Sequence, residues 1–259
     1  MSGTLRLNDT TFATETNGNI TTNVSELKIN DQTVIDSNKS LNVSDVKVDG
    51  NTVIDSNRKM TGVDIVPTTN FTFRNRIING DMRIDQRNAG ASVTPTAAIY
   101  TLDRWQTNNT EPSKFSVQQN AGSVAPPVGF TNYLGVTSLS AYSVLPTDFF
   151  SIIQPIEGFN VADLGFGSTN AKEFTLSFLV RSSLTGTFGG SFNNYDFSRS
   201  YPFSYTINSA NTWEQKTITI TGDTTGTWLT NNGKGIQIYF NLGSGSNYSG
   251  TSGGWTSGA

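Results

Sequence analysis

The sequence predicts an all-β protein in which a short repetitive shaft precedes a β-sandwich head. Three observations support this prediction: four runs alternate apolar and polar residues, a block of 19 residues recurs near the N-terminus, and the loops are rich in Gly, Asn, Ser and Thr. Charged residues make up 14% of the 259 residues and aromatic residues 11%. This composition is typical of a β protein with a polar but uncharged surface.

The head is predicted from four runs in which every second residue is apolar. Successive side chains of a strand point to opposite sides, so such runs indicate strands that bury one face. The apolar faces are Phe174, Leu176, Phe178 and Val180; Tyr201, Phe203, Tyr205 and Ile207; Ile218 and Ile220; and Ile236, Ile238, Phe240 and Leu242. The segments 208–212 and 222–226 between them are composed of turn-forming residues. We therefore expect a β-sandwich core.

The shaft is predicted from a repeat in which residues 26–46 align with residues 45–65. The stretch 33–38, TVIDSN, recurs at 52–57, and each copy has the pattern strand, polar turn, strand, polar turn. One copy holds only about five or six apolar side chains, which are too few for a monomeric core. Three identical chains that share these side chains on a common axis would form a closed assembly, a homotrimer. A monomeric β-solenoid and a disordered linker are the alternatives.

Composition excludes several classes of function. The chain has no cysteine and no histidine, so disulfides, thiolate or imidazole catalysis and ordinary zinc or copper sites are excluded. A net charge of −3 gives no electrostatic footprint for nucleic acid. No apolar run approaches the roughly 20 residues of a membrane span, and the N-terminus lacks a secretory pattern. We predict no cofactor, no metal and no membrane insertion.

Carboxylates are the remaining conventional catalytic groups. Glu157, Asp163 and Glu173 flank the predicted central strands, and a carboxylate pair at suitable separation supports glycoside hydrolysis. No nucleophile or general-acid motif surrounds them, so we predict structural or solvated roles and a protein that is not an enzyme.

Glycan binding agrees better with the residue types of the head. Sugar rings stack on aromatic side chains, and their hydroxyls need amides, carboxylates or guanidinium groups in fixed positions. The predicted loop 191–201 and the C-terminal tail supply both. The candidate ligand-binding residues are Asn193, Asn194, Tyr195, Asp196, Arg199, Tyr248 and Trp255. The alternative is that Phe192, Phe197 and Tyr201 of this loop pack inside the sandwich.

A junction separates the two parts, since Pro67 cannot continue a central strand ladder. We predict a shaft over residues 1–66, a junction over 67–74 and a head over 75–259. Asn79-Gly80 lies between apolar pairs, which is a signal for a type I′ hairpin at the start of the head.

Residues 26–66 resemble the shaft of bacteriophage tail fibres, and the stretch 58–63, RKMTGV, is similar to fibres of phages that infect marine and cyanobacterial hosts. The head resembles carbohydrate-binding jelly-roll modules and the C-terminal head modules of tail fibres. The stretches that carry this resemblance are 75–87, 100–105, 151–156 and 212–216. Such modules close with a long last strand that is not found before Ala259. Either the polypeptide continues, or a neighbouring chain supplies that strand.

The resemblance implies a trimeric virion tail fibre that adheres to host surface polysaccharide or lipopolysaccharide through its jelly-roll head. It implies attachment to other virion tail proteins through the N-terminal end, and action outside the host cell. A decoration fibre of the capsid or tail that binds no sugar and a glycan depolymerase are the alternatives.

Overall fold

A computed structural model describes residues 75–258 in full and, before them, seven short strands by their backbone alone. The chain divides into two compact units, Met1–Thr72 and Phe73–Ala259. The trimeric packing of the shaft and the junction 67–74 lie outside the described residues.

The N-terminal unit contains the strands β1 (Gly3–Leu7), β2 (Thr10–Thr16), β3 (Asn19–Thr22), β4 (Leu27–Ile29), β5 (Gln32–Ile35), β6 (Val46–Val48) and β7 (Asn51–Ile54). Strands β1, β2 and β3 form one antiparallel sheet. Strands β4–β5 and β6–β7 form two antiparallel hairpins with the same length and the same register shift. The two hairpins begin 19 residues apart, at the period of the sequence repeat.

The head is all-β apart from three single-turn 3₁₀ helices, Gly158–Asn160, Ala162–Leu164 and Ser246–Tyr248. Its strands are β8 (Ile99–Leu102), β9 (Trp105–Asn109), β10 (Phe115–Gln119), β11 (Leu134–Ser138), β12 (Phe149–Glu157), β13 (Phe174–Val180), β14 (Gly186–Asn193), β15 (Arg199–Ile207), β16 (Glu214–Ile220), β17 (Lys234–Ser244) and β18 (Thr256–Ser257). Seven of them form one antiparallel sheet in the order β18-β15-β14-β17-β12-β9-β8.

Two two-stranded antiparallel sheets, β10–β11 and β13–β16, cover the inner face of this sheet. Leu176 and Ile220 of the pair β13–β16 share a core cluster with Phe203 and Ile238 of the sheet. Phe115 and Val117 of β10 pack with Trp105, Phe150 and Ile152, and Phe240 packs against both clusters. The predicted β-sandwich is therefore confirmed in this coarse form, as a seven-stranded sheet covered by two pairs of strands.

The four strands predicted from alternation are present as β13, β15, β16 and β17, and the stretch 151–156, which carries part of the resemblance to jelly-roll modules, lies within β12. The stretch 100–105 forms the end of β8, a tight turn and the start of β9, with Arg104 at φ +73°. The sequence therefore locates most of the central strands of the head.

Two predictions about local structure were wrong. The predicted loop 191–201 begins in β14 and ends in β15, because Gly186, Gly189 and Gly190 hide the alternation of a true strand. Asn79-Gly80 forms a turn with no strand on either side among residues 75–98. The reason is that the Ile78 amide donates to the Gln154 side-chain oxygen, and the Gln154 side-chain amide donates to the Ile78 carbonyl oxygen, both at 2.9 Å. The Ile78 backbone therefore does not bond to the backbone of a neighbouring strand.

Candidate functional site

The tight turn 194–198 between β14 and β15, hereafter the hairpin apex, carries three of the seven candidate ligand-binding residues. Asn193 pairs with Ser200 in the last step of the β14–β15 ladder, and the Asn194 amide donates to the Arg199 carbonyl oxygen at 3.1 Å. Inside the turn, the Asp196 carboxylate accepts hydrogen bonds from the Ser198 amide at 3.1 Å and from its hydroxyl at 2.7 Å. These bonds define one conformation for the turn.

Asn194 is fully buried and supports the apex from below. Its side-chain amide donates to the Ser198 hydroxyl at 2.8 Å and to the Thr227 carbonyl oxygen at 3.1 Å, and its side-chain oxygen accepts from the Arg199 amide at 3.0 Å. Asn193 is also buried, at 2% exposure, and bonds to Ser191 and Ser200. The side chains of both asparagines are thus used within the protein, where they hold the backbone of the turn.

Arg199 is anchored by an acidic residue of the β16–β17 connection. Its Nε and Nη2 atoms lie 2.6 and 3.0 Å from the two carboxylate oxygens of Asp223, which is almost fully buried. The amide and hydroxyl of Thr225 donate to the same carboxylate, each at 3.1 Å. This bidentate pair fixes the start of β15 to the β16–β17 connection. No local sequence signal points to Asp223, because it lies 24 residues away from Arg199.

Two aromatic side chains flank a carboxylate on the solvent side of the apex. Tyr195 is 39% exposed and Phe197 is 36% exposed, and Phe197 has a left-handed backbone at φ +62°. The Asp196 carboxylate raises the pKa of the Tyr195 phenol through a hydrogen bond, while the Ser198 hydroxyl and amide lower the pKa of Asp196. Asp196 is therefore a charged hydrogen-bond acceptor at neutral pH, between two exposed rings.

Phe197 connects the apex to the outer face of the seven-stranded sheet, the face that points away from the core. Its ring packs edge-on against Tyr239 at 5.8 Å. Tyr239 pairs with Ile153, Ile153 pairs with Gln106, and Gln106 pairs with Tyr100, so these four residues form a row across β17, β12, β9 and β8. Burial raises the pKa of Tyr239 to about 12. This face therefore carries two tyrosines and one amide side chain in a row with the buried Ile153.

The two candidate residues of the C-terminal tail lie in different places. Trp255 packs against Tyr201 and Trp228, each at 5.2 Å between ring centroids, and its indole donates to the Thr221 carbonyl oxygen. It lies near the base of the apex, because the following strand β18 pairs with the start of β15.

Tyr248 is 44% exposed and packs against Phe149. Phe149 pairs with Ser244, whereas the apex end of β14 pairs with Gln237. Seven residues of β17 therefore separate the two positions, about 24 Å. The structure brings six of the candidate residues to one end of the sheet and leaves Tyr248 at the other.

The aromatic residues Phe192, Phe197 and Tyr201 of the predicted loop 191–201 divide into two groups. Phe192 and Tyr201 are buried in the core at 2% and 5% exposure, as the packing alternative predicted. Phe197 is exposed, although the sequence offers no feature that separates it from the other two.

Two of the three carboxylates considered for hydrolysis, Glu157 and Asp163, are held in ion pairs. Glu157 accepts from Arg104 Nη2 at 2.7 and 2.8 Å, and this interaction lowers the pKa of Glu157. Asp163 forms a bidentate pair with Arg76, both distances being 2.8 Å, and Glu173 is exposed. A glycosidase general acid needs a raised pKa, so the environment of Glu157 is the opposite of what that role requires.

A second surface feature is a groove on the inner side of the sheet, hereafter the inner groove. It has a volume of about 1390 Å³ and lies between β11 and β13. Phe150, Ile152 and Phe240 of the sheet line it, together with Leu242. The groove is therefore an opening between the two strand pairs, β10–β11 and β13–β16, that cover the core.

Within residues 75–258 no group of three or more acidic side chains is placed to hold a metal ion. No helix in that part of the chain has the length and apolar character that a membrane span requires. Comparison with family models, curated proteins and solved structures finds no match to this chain.

Proposed function

We propose that this protein is a phage tail-fibre receptor-binding protein whose head adheres to host surface glycan at the hairpin apex. The observation that carries the proposal is the pair of exposed rings, Tyr195 and Phe197, on either side of the charged Asp196. Sugar rings stack on such aromatic faces, and the carboxylate accepts hydrogen bonds from sugar hydroxyls.

The support beneath the apex favours binding over a purely structural role. Asn194 and the Arg199–Asp223 pair hold the turn before any ligand arrives, so little conformational entropy is lost on binding. Phe197 also keeps a left-handed backbone that costs free energy for a bulky residue. Conformations of this kind cluster at functional sites.

In this proposal the sandwich is a jelly roll, the repeat of residues 26–65 forms a trimeric shaft, and the N-terminal end joins other virion tail proteins. Three heads on one fibre would present three apices, and several fibres would engage at once. Weak single sites then give tight adhesion through multivalency. The ion-paired state of Glu157 and Asp163 supports adhesion without hydrolysis.

A glycan array that displays bacterial surface polysaccharides and lipopolysaccharides tests the proposal with the purified chain. Tyr195→Ala should lower the affinity for the bound glycan about tenfold or more, because it removes one stacking face. Tyr248→Ala is the matched control, since Tyr248 has similar exposure at the other end of the sheet. Binding to no glycan would refute adhesion, and a loss with Tyr248→Ala alone would refute the assignment to the apex.

The trimeric shaft has its own test. Light scattering of the full chain should give three times the 28.0 kDa mass of one chain. A stable monomer would refute the fibre, because the repeat holds too few apolar side chains for a core of its own.

A further inference from the structure

A small polar pocket, hereafter the edge pocket, lies on the outer face of the sheet between β8, β12 and the start of β17. Its polar and aromatic lining residues are Tyr100, Arg104, Glu157, Asn232 and Lys234, and its volume is about 150 Å³. A site for a drug-sized molecule has roughly 300–1,000 Å³. The edge pocket therefore suits one charged substituent or one sugar ring, and not a larger ligand.

Three cationic side chains surround the edge pocket. Arg104 uses its Nη2 atom for both oxygens of Glu157, at 2.7 and 2.8 Å, and its Nε and Nη1 atoms have no bonding partner among residues 75–258. Lys234 lies opposite Glu157 in the β12–β17 ladder, is exposed, and forms no ion pair within the same residues. The Arg87 guanidinium lies 5.2 Å from the centre of the Tyr100 ring. The pocket thus carries more positive charge than its one carboxylate neutralises.

Two further carboxylates lie near these cations, and backbone amides use both of them. Asp85 accepts from two amides of its own turn, at 3.1 and 2.7 Å, and Asp103 accepts from the Gln86 amide at 2.7 Å. Neither of the two lines the pocket, in which Glu157 is the only acidic residue. A ligand in the pocket therefore meets one carboxylate and two cationic groups.

The wall that carries Lys234 is fixed by backbone contacts. The Gly158 amide donates to the Gly233 carbonyl oxygen and the Phe159 amide to the Asn231 carbonyl oxygen, both at 2.9 Å. Gly235 approaches the same 3₁₀ helix so closely that a Cβ there would lie 2.6 Å from the Gly158 Cα atom. The start of β17 is therefore held against the end of β12 before any ligand binds.

The wall that carries Arg104 is a strained turn between β8 and β9. Arg104 has a left-handed backbone at φ +73°, which is uncommon for a side chain of this size. The Asn79 side-chain amide donates to the Asp103 carbonyl oxygen at 2.9 Å, and the Trp105 indole donates to the Asn79 carbonyl oxygen at 3.0 Å. Strained residues that are held in this way cluster at functional sites.

We propose that the edge pocket binds the anionic group of an acidic sugar, either a carboxylate or a phosphate. The Nε and Nη1 donors of Arg104 and the Lys234 ammonium hold the anionic oxygens, and Glu157 has lone pairs left to accept from a hydroxyl of the same sugar. A neutral sugar leaves these cationic donors without a charged partner. That the anion belongs to a glycan rests on the proposed function, whereas the anion site itself does not.

The edge pocket and the hairpin apex lie at the same end of the sheet. Asn193, beside the apex, pairs with Gln237, and Lys234 lies three residues before Gln237 in β17. Strands β14 and β12 flank β17, so two strand spacings, about 10 Å, separate the two sites laterally. An acidic polysaccharide that is bound at the apex would therefore pass close to the pocket.

Saturation-transfer NMR on the full chain tests the inference with three free sugars, namely glucuronate, glucose 6-phosphate and glucose. At least one of the two anionic sugars should bind about fivefold more tightly than glucose or better, because it gains a charge-assisted bond. Its affinity should fall as the ionic strength rises from about 0.02 M to about 0.3 M. The anionic sugar that binds more tightly identifies the group that the pocket takes.

A charge-neutralising substitution assigns this binding to the edge pocket. Lys234→Gln should lower the affinity for the anionic sugar about fivefold or more and leave that for glucose unchanged. Folding is not at risk, because Lys234 is exposed. Lys172→Gln is the matched control, since Lys172 is an exposed lysine that does not line the pocket, and it should change the affinity by less than about twofold.

Two outcomes would overturn the inference. These are equal affinity for glucose and for both anionic sugars, and an affinity for the anionic sugar that Lys234→Gln does not change. Tyr195→Ala separates this site from the apex, because Tyr195 does not line the pocket and its loss should leave the binding of free anionic sugars intact. Binding of an anionic sugar by a chain that binds no glycan on the array would refute adhesion and support the pocket. Adhesion to glycans with no preference for acidic sugars would do the reverse.

Discussion

The ion pair beneath the hairpin apex leads to a quantitative prediction. Asp223→Ala removes a carboxylate that is 3% exposed and accepts hydrogen bonds from Arg199 and Thr225. Breaking a buried ion pair costs about 3–5 kcal/mol, because the remaining charge stays buried without its partner. The Arg199 side chain retains 17% exposure and can reach water. The lower end of that range, about 3 kcal/mol, is therefore expected.

Urea unfolding followed by tryptophan fluorescence measures this cost in the head alone, since all four tryptophans lie in the head. The free energy of unfolding should fall by about 3 kcal/mol, which corresponds to a Tm lower by about 6–12 °C for a domain of this size. Asp81→Ala is the control. It breaks a pair with Arg83 at a similar distance but with 66% and 40% exposed side chains, so it should cost less than about 1 kcal/mol.

The same substitution connects stability to the proposed adhesion. Glycan affinity should fall with Asp223→Ala, although Asp223 itself is buried and cannot touch a sugar. A cost of less than about 1 kcal/mol would refute the reasoning, because Arg199 would then be satisfied without its partner. If Asp223→Ala destabilises the head but leaves glycan affinity unchanged, the Arg199–Asp223 pair contributes to stability and not to glycan binding at the apex.

Three further predictions concern the core, acid stability and alkaline titration. Ile238→Ala should cost about 2–5 kcal/mol and Leu242→Ala less than about 1 kcal/mol in urea unfolding, and equal costs would contradict an open groove. Lys216 and two backbone amides lower the pKa of Glu214 to about 2, so the stability that it provides is present above its unfolded pKa of about 4.3 and is lost as the pH falls towards 2. Wild type and Glu214→Gln should therefore differ in urea midpoint at pH 6 and converge near pH 2. Burial raises the pKa of Tyr239 to about 12, so stability should fall as the pH rises from about 10, and ultraviolet titration of Tyr239→Phe should lack one late step.

The strands that the sequence revealed are those whose alternation is complete. In the runs 174–180 of β13, 201–207 of β15 and 236–242 of β17, every second residue is a large apolar one, and this pattern depends only on the backbone period. Strand β14 was missed, because three of its eight residues are glycine. A side chain at Gly190 would overlap Phe203 and the Tyr239 carbonyl oxygen, so the glycine reflects close packing that only the folded sheet creates.

The candidate site was predictable in composition but not in the role of each residue. Asn194 and Asp196 are polar neighbours in one turn, yet the first is fully buried and the second is exposed. Which side chain faces solvent depends on the turn geometry and on contacts with Thr227 and Asp223, more than 20 residues away. Tyr248 and Trp255 are close in sequence, but packing against Phe149 and Tyr201 holds them at separate places. Such contacts have no local sequence signal.

The groove follows from a mismatch in the number of strands between the two layers. Seven strands at about 4.8 Å spacing give a sheet about 34 Å wide, whereas the two covering strand pairs together provide four strands, about 19 Å. The second layer therefore leaves part of the inner face uncovered, and this is why Leu242 is 43% exposed while Ile238 of the same strand is fully buried.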